Sequence, residues 1–192
     1  MSGITVVIAT IPTRPKMLRQ ALSSVCIQTY QPEAIVVEFD HRKTGGAATK
    51  NRGLARVTSD WVAFLDDDDQ FMPEHLAKLW KAQLETGADV IYSMPQIPQI
   101  PGGIDPSGMQ GAPFDADELR RRSYIQTTSL VRTKLAQGVG GFQLPSHVES
   151  DYDDWGLWLA ILDAGGTFHH VPEQTFIWNH HGLNTSGRAD RW

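Results

Sequence analysis

The sequence predicts an α/β domain organised around a mostly parallel central sheet with helices on its flanks. Three observations predict it. Runs of aliphatic and β-branched residues, "ITVVIAT", "EAIVVEF", "WVAFL" and "ADVIYS", recur through the first half of the chain. Segments with apolar residues at helical spacing separate them. The connections are short, and strand–helix–strand alternation with short loops is the pattern of parallel crossover units.

Taken in order, residues 4–10 read as a buried strand. The Pro-punctuated turn "IPTRP" follows, and Pro15 suits the first turn of a helix over 15–29 with Leu18, Ala21, Leu22 and Val25 as its apolar stripe. Residues 33–39 are a second strand, "HRKTGG" a polar loop ending in glycine, 47–57 a short helix and 61–65 a third strand. Pro73 opens another helix, with Leu76, Leu79, Trp80 and Leu84 on one face, and 88–93 is a fourth strand. Residues 94–114 contain five of the eleven prolines and four glycines, so they read as a loop long enough to be functional or mobile. A strand over 123–133, a helix over 154–166 with a glycine stop, and closing strands in "TFHHVP" and "TFIWNHH" complete the chain. His169 and His170 are expected to be strand residues, one facing in and one out.

A chain of 192 residues suits one sizeable core and hardly two, so a single domain over 1–192 is expected. Within it, residues 1–93 form one half, 94–122 a flexible loop and short helix, and 123–192 a second half. No apolar run approaches the ~18 residues of a membrane span. The N-terminus lacks the basic region of a signal peptide. Cys26 has no partner cysteine and lies in a helical pattern, where it is expected in the core; a reducing cytoplasm fits. Residues 1–60 carry eight Lys/Arg against four Asp/Glu, and the remainder nine against eighteen, within a net charge of −5. The first part therefore attracts anions and the rest cations, and general nucleic-acid binding is disfavoured.

The acid concentration peaks in "FLDDDDQFMP", directly behind the third strand. One aspartate there would serve as a helix cap. Four in a row repel one another by on the order of a few kcal/mol per close pair at moderate dielectric, unless a cation or solvent screens them. A divalent metal turns that repulsion into attraction, and oxygen ligands suit Mg²⁺ or Mn²⁺. A calcium EF-hand loop is excluded, because a strand precedes and no central glycine follows. The cluster also sits where open sheets bind ligands, beyond the carboxyl ends of their strands. A second acidic group, "ESDYDDWGLW", opens an apolar helix, where Asp153 and Asp154 are good helix starters in their own right.

The blocks "VVIATIPTRPKMLRQALSSVCIQTYQP", "VVEFD", "ATKNRGLARVTSDWVAFLDDDDQFMP" and "DDWGLWLAILDAGG" resemble, in this order, the family 2 glycosyltransferases, which have the GT-A fold. The resemblance covers residues 4–92 closely and 138–182 more loosely. It implies a Rossmann-like, mostly parallel sheet flanked by helices, with a smaller acceptor-side section near the C-terminus. It also implies transfer of a sugar from a nucleoside-diphosphate sugar, most often a uridine one, to an acceptor hydroxyl of a glycan, protein or small molecule. The first half then holds the donor, and the second is the acceptor and catalytic half. Thr10 and Arg14 match the first nucleotide-contacting turn. Asp40 matches the acid that accepts a hydrogen bond from the base, with Glu38 as competitor, because "EFDHRKTGG" replaces the usual two Asp and Gly-Ser. Lys50 falls where an Arg usually precedes Asn51. Asp66 and Asp68 take the ends of the Asp-x-Asp motif, with Asp67 between them; Asp68 and Asp66 are the expected Mn²⁺ or Mg²⁺ ligands. Asp154 matches the catalytic base of inverting members and Asp153 its neighbour, where Glu is usual. A late histidine ligates metal in some members, and His181 is preferred to His180. The polar tail around Asn184, Thr185, Ser186 and Arg188 is able to fold over a bound donor. Small size and the tryptophan-rich ending are also reminiscent of transferases encoded by bacteriophages of actinobacteria, which would place the protein in a host cytoplasm.

Two rivals remain from the residues themselves. A nucleotidyltransferase also combines a nucleotide site with metal-binding acids, but "ATIPTRP" stands where its Gly-rich pyrophosphate loop would be. A non-catalytic nucleotide- or carbohydrate-binding module on the same fold is the other.

Overall fold

A computed structural model of the protein describes residues 3–99, 110–145 and 152–179. Among the described residues, thirteen elements follow one another: β1 (Ile4–Thr10), α1 (Pro15–Cys26), β2 (Ala34–Phe39), α2 (Gly46–Leu54), β3 (Trp61–Asp66), β4 (Gln70–Phe71), α3 (His75–Thr86), β5 (Val90–Gln96), α4 (Ala116–Arg121), β6 (Leu130–Arg132), α5 (Thr133–Gly138), α6 (Asp153–Asp163) and β7 (Phe168–Ile177). They form one seven-stranded sheet in the order β2-β1-β3-β6-β5-β7-β4. The strands β2, β1, β3, β5 and β7 point the same way; β6 and β4 oppose them. The mostly parallel α/β sheet read from the sequence is therefore present.

The inner strands are apolar on both faces because both faces are covered. Along β3, Trp61, Ala63 and Leu65 enter one cluster with Ile4, Ile8, Leu76 and Leu79, under α1 and α3. Val62 and Phe64 alternate into the other, with Tyr92 and Trp158, under α2 and α6. Buried tryptophan N–H groups find backbone partners: Trp155 Nε1 donates to Leu119 O at 2.6 Å and Trp158 Nε1 to Ile125 O at 2.9 Å. Such bonds remove the cost of burying a polar edge in the core.

The structure corrects several local expectations. Cys26 is exposed rather than core, because α1 turns Ala21, Ser24 and Val25 to the sheet and leaves its last residue outside. That helix stops at 26 instead of 29, and the buried Gln28 then bridges Ser24 O, Met72 O and the N–H of Leu76. Only Leu130–Arg132 of the expected 123–133 strand pairs in the sheet. Before it, Ser129 N donates to Thr127 O and Ser129 Oγ to Gln126 O, local bonds that compete with a ladder. After it the chain enters α5, an unexpected helix, as β4 is an unexpected strand. The α3 helix begins at His75, beyond Pro73. The two closing strands are one, β7, and His169 and His170 are both half-buried on it. The loop expected from residue 94 begins later, since β5 runs to Gln96. Its far end is anchored, with Tyr92 Oη donating to Ala112 O at 2.7 Å; residues 100–109 lie outside the described residues.

One glycine sets how closely α6 can lie. A Cβ on Gly156 would meet the carbonyl oxygen of Gln143 at 1.7 Å. Because that neighbour is backbone, Gly156→Ala should cost about 2–3 kcal/mol in urea unfolding through overpacking. Gly87→Ala, at a left-handed residue (φ 70°) ending α3 with open space around it, should cost only about 1 kcal/mol, from backbone strain alone. Equal losses for the two would mean that α6 is not pressed onto residue 143.

Candidate active site

The carboxyl ends of β1 and β3 lie side by side, with Ala9 opposite Asp66. This brings the turn after β1 against the acidic run. The four aspartates have different surroundings. Asp67 is buried and accepts from Thr10 Oγ1 at 2.6 Å and Arg14 Nη1 at 3.0 Å. Asp69 is buried and accepts the N–H of Asn179 at 2.9 Å, while Asn179 Nδ2 donates to Asp68 O at 2.7 Å. Asp68 has Arg14 Nη1 3.6 Å from its carboxylate. Asp66 is the most open of the four, its side chain 39% exposed, with Lys50 Nζ at 3.8 Å. Asp67 and Asp69 thus anchor the turn through their side chains, one to β1 and one to the end of β7.

The second acidic group is brought to the first by Lys50. This buried residue on α2 donates to Asp153 Oδ1 at 3.0 Å, with Asp66 3.8 Å away and the Phe142 ring 4.7 Å from Nζ. Asp153 is buried and Asp154 half-buried at the start of α6, whose N-terminal dipole favours negative charge. Asp154 Oδ1 accepts the N–H of Trp155 at 2.8 Å, and Oδ2 lies 3.4 Å from Thr127 Oγ1, which donates to it.

Crowding shifts these acids. Burial, then repulsion from Asp153, pushes Asp154 up to about 7, against the pull of Lys50 and the Trp155 amide. Burial pushes Asp66 up to about 6; Lys50 opposes, and Asp68, Asp153 and Asp67 add repulsion. Water reaching its exposed carboxylate screens part of this. Asp67 is raised by burial, against the bonds from Thr10 and Arg14, and Asp69 is raised well above the usual range by burial and by Asp68 and Asp66. Burial disfavours a charge on Lys50, but Asp153, Asp66 and Asp154 together raise its pKa above the ordinary lysine value.

The two expected base-reading acids lie apart from this group, at the end of β2. The Asp40 side chain is fully buried and accepts from Thr44 Oγ1 at 3.0 Å and Gly45 N at 2.8 Å. Burial would raise its pKa, but these bonds outweigh it and hold the carboxyl below the usual range. Glu38 is clamped by Arg52 Nε at 3.0 Å and Arg56 Nη1 at 3.1 Å. His181, its neighbour His180 and the tail from Asn184 to Arg188 lie outside the described residues. Among the described residues, no group of three or more His, Cys, Asp or Glu could by itself hold a metal ion.

Thr127 and Asn179 escaped the sequence reading. Each touches an acid through a contact 27 or 110 residues distant, and neither lies in a patterned motif. The only hint at Asn179 was its place directly behind the last apolar run.

Residues 15–143 match the model of the glycosyl transferase family 2. An uncharacterized glycosyltransferase of Bacillus subtilis, YwdF, is 28% identical over 144 residues, which is 71% of this chain and 52% of that protein. The pre-mycofactocin glycosyltransferase of Mycobacterium tuberculosis is 28% identical over 148 residues, 71% of this chain and 30% of that one. The chain therefore spans about half or less of the length of these relatives. Among solved structures, S. aureus TarS 1-349 in complex with UDP-GlcNAc superposes with a TM-score of 0.70 at 17% identity, over 93% of this chain and 59% of that one. The mannosyltransferase PcManGT from Pyrobaculum calidifontis, in complex with GDP-Man and Mn2+, gives 0.66 at 13%, over 92% and 56%. These likenesses show the GT-A fold. With the family match running through most of its length, including the acidic run and Lys50, the chain belongs to the glycosyl transferase family 2.

Proposed function

We propose that this domain moves a sugar from a nucleoside-diphosphate sugar to an acceptor hydroxyl, with inversion and with Asp154 as general base. The observation that carries the reading is the convergence on Lys50. It joins an acidic turn at the carboxyl edge of the sheet to an Asp pair that begins α6, about a hundred residues later. A proton acceptor poised near neutrality thus stands beside a charged edge suited to a diphosphate. The fold neighbours solved with UDP-GlcNAc and with GDP-Man and Mn2+ are consistent with such a donor.

The residues fit a divalent cation in kind. Asp66 and Asp68 offer hard oxygen donors; burial chiefly raises the pKa of Asp66, and the repulsion that Asp68, Asp153 and Asp67 add to it is what a cation would relieve. With two such carboxylates among the described residues, further ligands would come from the donor's diphosphate, water or His181. When bound, the cation supplies charge neutralisation to the diphosphate. Arg14, anchored on Asp67, and Lys50 bring fixed positive charge to the same edge. The acceptor hydroxyl oxygen bonds to the anomeric carbon as the bond from that carbon to the diphosphate oxygen breaks. The hydroxyl proton passes to Asp154, oriented by Thr127 and the Trp155 amide, and the electron pair leaves with the nucleoside diphosphate. Asp153 keeps Lys50 in place and holds the start of α6 against β3.

Asp154→Asn should lower transfer roughly 10²–10⁴-fold at saturating donor and Mn²⁺ while changing donor affinity little. Asp153→Asn should instead be chiefly destabilising, by on the order of 3 kcal/mol, because it breaks a buried ion pair. Near-parent turnover by Asp154→Asn, with Asp153→Asn inactive though folded, would move the base by one residue. Donor binding without turnover in the parent, across a panel of nucleotide sugars and acceptors, would make the domain a binding module.

The base must be ionised to work, so kcat should rise with pH and level off above about 7, falling tenfold per pH unit below it. Stability should run the other way. Asp66 and Asp154 have folded pKa values raised above their unfolded ones, so their contribution is complete below about pH 4 and is lost as pH rises through about 6 and about 7. Buried His75, depressed to about 3, works in the opposite sense up to about pH 6.5, so the effect is read as a difference between proteins. In metal-free buffer the melting temperature of the parent should fall relative to that of Asp154→Asn between pH 5 and 8. Mn²⁺ should raise the parent's melting temperature at pH 8, and Asp68→Ala should abolish that rise. A pH-independent difference between parent and Asp154→Asn, or an undiminished Mn²⁺ effect in Asp68→Ala, would contradict the assignment.

A further inference from the structure

The end of β2 is where a nucleoside would reach if its diphosphate lay at the acidic turn. Phe39 is opposite Thr10, one strand spacing of about 4.8 Å outward from β1 along the carboxyl edge. Two carboxylates border this position, and both are already engaged. Asp40 has no exposed side-chain surface, and its two oxygens hold the turn that leads into α2. That turn includes Lys43 and Gly45 in left-handed conformations, φ 54° and 92°, so it is a specific shape that Asp40 maintains. Glu38 faces α2, clamped between Arg52 and Arg56. Neither acid therefore presents an unengaged carboxylate to a base: Asp40 is wholly buried, and each oxygen of Glu38 already carries an arginine.

What the edge does present is aromatic. Phe39 is 38% exposed and belongs to neither core cluster. Its ring stacks on that of His41, which is also exposed, with centroids 5.5 Å apart and planes 20° from parallel. An exposed pair of parallel rings offers a flat surface to another flat π-system, and stacking of this kind accepts any base because each has a π-face.

We infer that the nucleobase of the donor is held by stacking on the Phe39–His41 pair, without a carboxylate reading its edge, so that pyrimidine and purine nucleoside diphosphates bind alike. The inference rests on the donor-site reading above and specifies its nucleotide chemistry. It departs from the sequence expectation that Asp40 or Glu38 accepts a hydrogen bond from the base. Asp40 instead acts through the backbone, by shaping the turn that carries His41.

Calorimetric titration of the full chain with UDP, GDP, ADP and inorganic pyrophosphate, each with Mn²⁺, tests it. The three nucleotides should bind the parent within about tenfold of one another. Phe39→Ala and His41→Ala should weaken all three by a similar factor, roughly ten- to a hundredfold for Phe39→Ala, and leave pyrophosphate binding unchanged. Phe39→Trp should restore the affinity. Both rings are exposed, so circular dichroism should show the variants folded. A parent preference of a hundredfold or more for one nucleotide would overturn the inference, as would Phe39→Ala and His41→Ala variants that bind all three like the parent; in both cases the donor site itself would stand. If neither the nucleotides nor pyrophosphate bind the parent, the donor-site reading falls together with it.

Discussion

The site depends on one buried ammonium. Lys50 Nζ is surrounded by Asp153, Asp66 and the ring of Phe142, and without its charge the two carboxylates would face one another in a poorly hydrated space. Removing charges from water is expensive, and such a cluster adds little net stability compared with apolar packing. Its value is positional. A cation that must be matched by carboxylates from β3 and α6 permits few arrangements of those elements, and the permitted one places Asp154 beside the sheet edge.

The residues following Lys50 extend the same principle. Asn51 exchanges two hydrogen bonds with the backbone of Phe142, at 2.8 and 2.9 Å, and Arg52 reaches Glu38 on β2. Successive residues of a helix point about 100° apart. Three consecutive side chains therefore address three separate regions: α6 with the acidic turn, the segment before it, and the edge strand. Gly53 next in line allows α2 to lie close on β1, where a Cβ would meet Val7 Cγ1 at 2.5 Å. Helix α2 has few large apolar residues, and polar connections take much of the part that packing plays elsewhere in the sheet.

The legible parts of the chain were those written in local pattern. Strand β1 coincides with the expected 4–10, and α2, β3 and α6 lie within a few residues of their expected places, because continuous apolar runs and helical spacing are properties of neighbouring residues. The acidic run was visible as excess charge beyond any capping need, whereas the Asp pair also suited a helix start and was singled out by the family resemblance. Their division of labour was not. Nothing in "DDDD" indicates that Asp67 turns toward Thr10 and Asp69 toward Asn179, since alternation within the turn is set by partners 57 and 110 residues away. Strand β4 has two residues, too few for periodicity, and β6 is short because the Ser129 hydroxyl and amide bond to local backbone ahead of it. Cys26 misled because the pattern identified a helix without fixing which edge of its stripe would meet the sheet.

The tie between the acidic turn and the last described strand has a consequence for synthesis on the ribosome. Strand β4 completes its pairing only with Phe176 and Ile177, and Asp69 receives its backbone donor only from Asn179. The first hundred residues can emerge, collapse and form the β2-β1-β3 parallel unit, with Asp67 bonded to Thr10 and Arg14, while the β7 side of this turn still lacks its partners. Contacts of such long sequence separation form late, because a large loop must close before any of them is made. The nascent chain therefore carries its four aspartates on a turn tied to β1 alone until β7 arrives, and the geometry at the candidate donor edge is completed at the end of folding. A fragment ending before β7 would keep the acids and lose the latch.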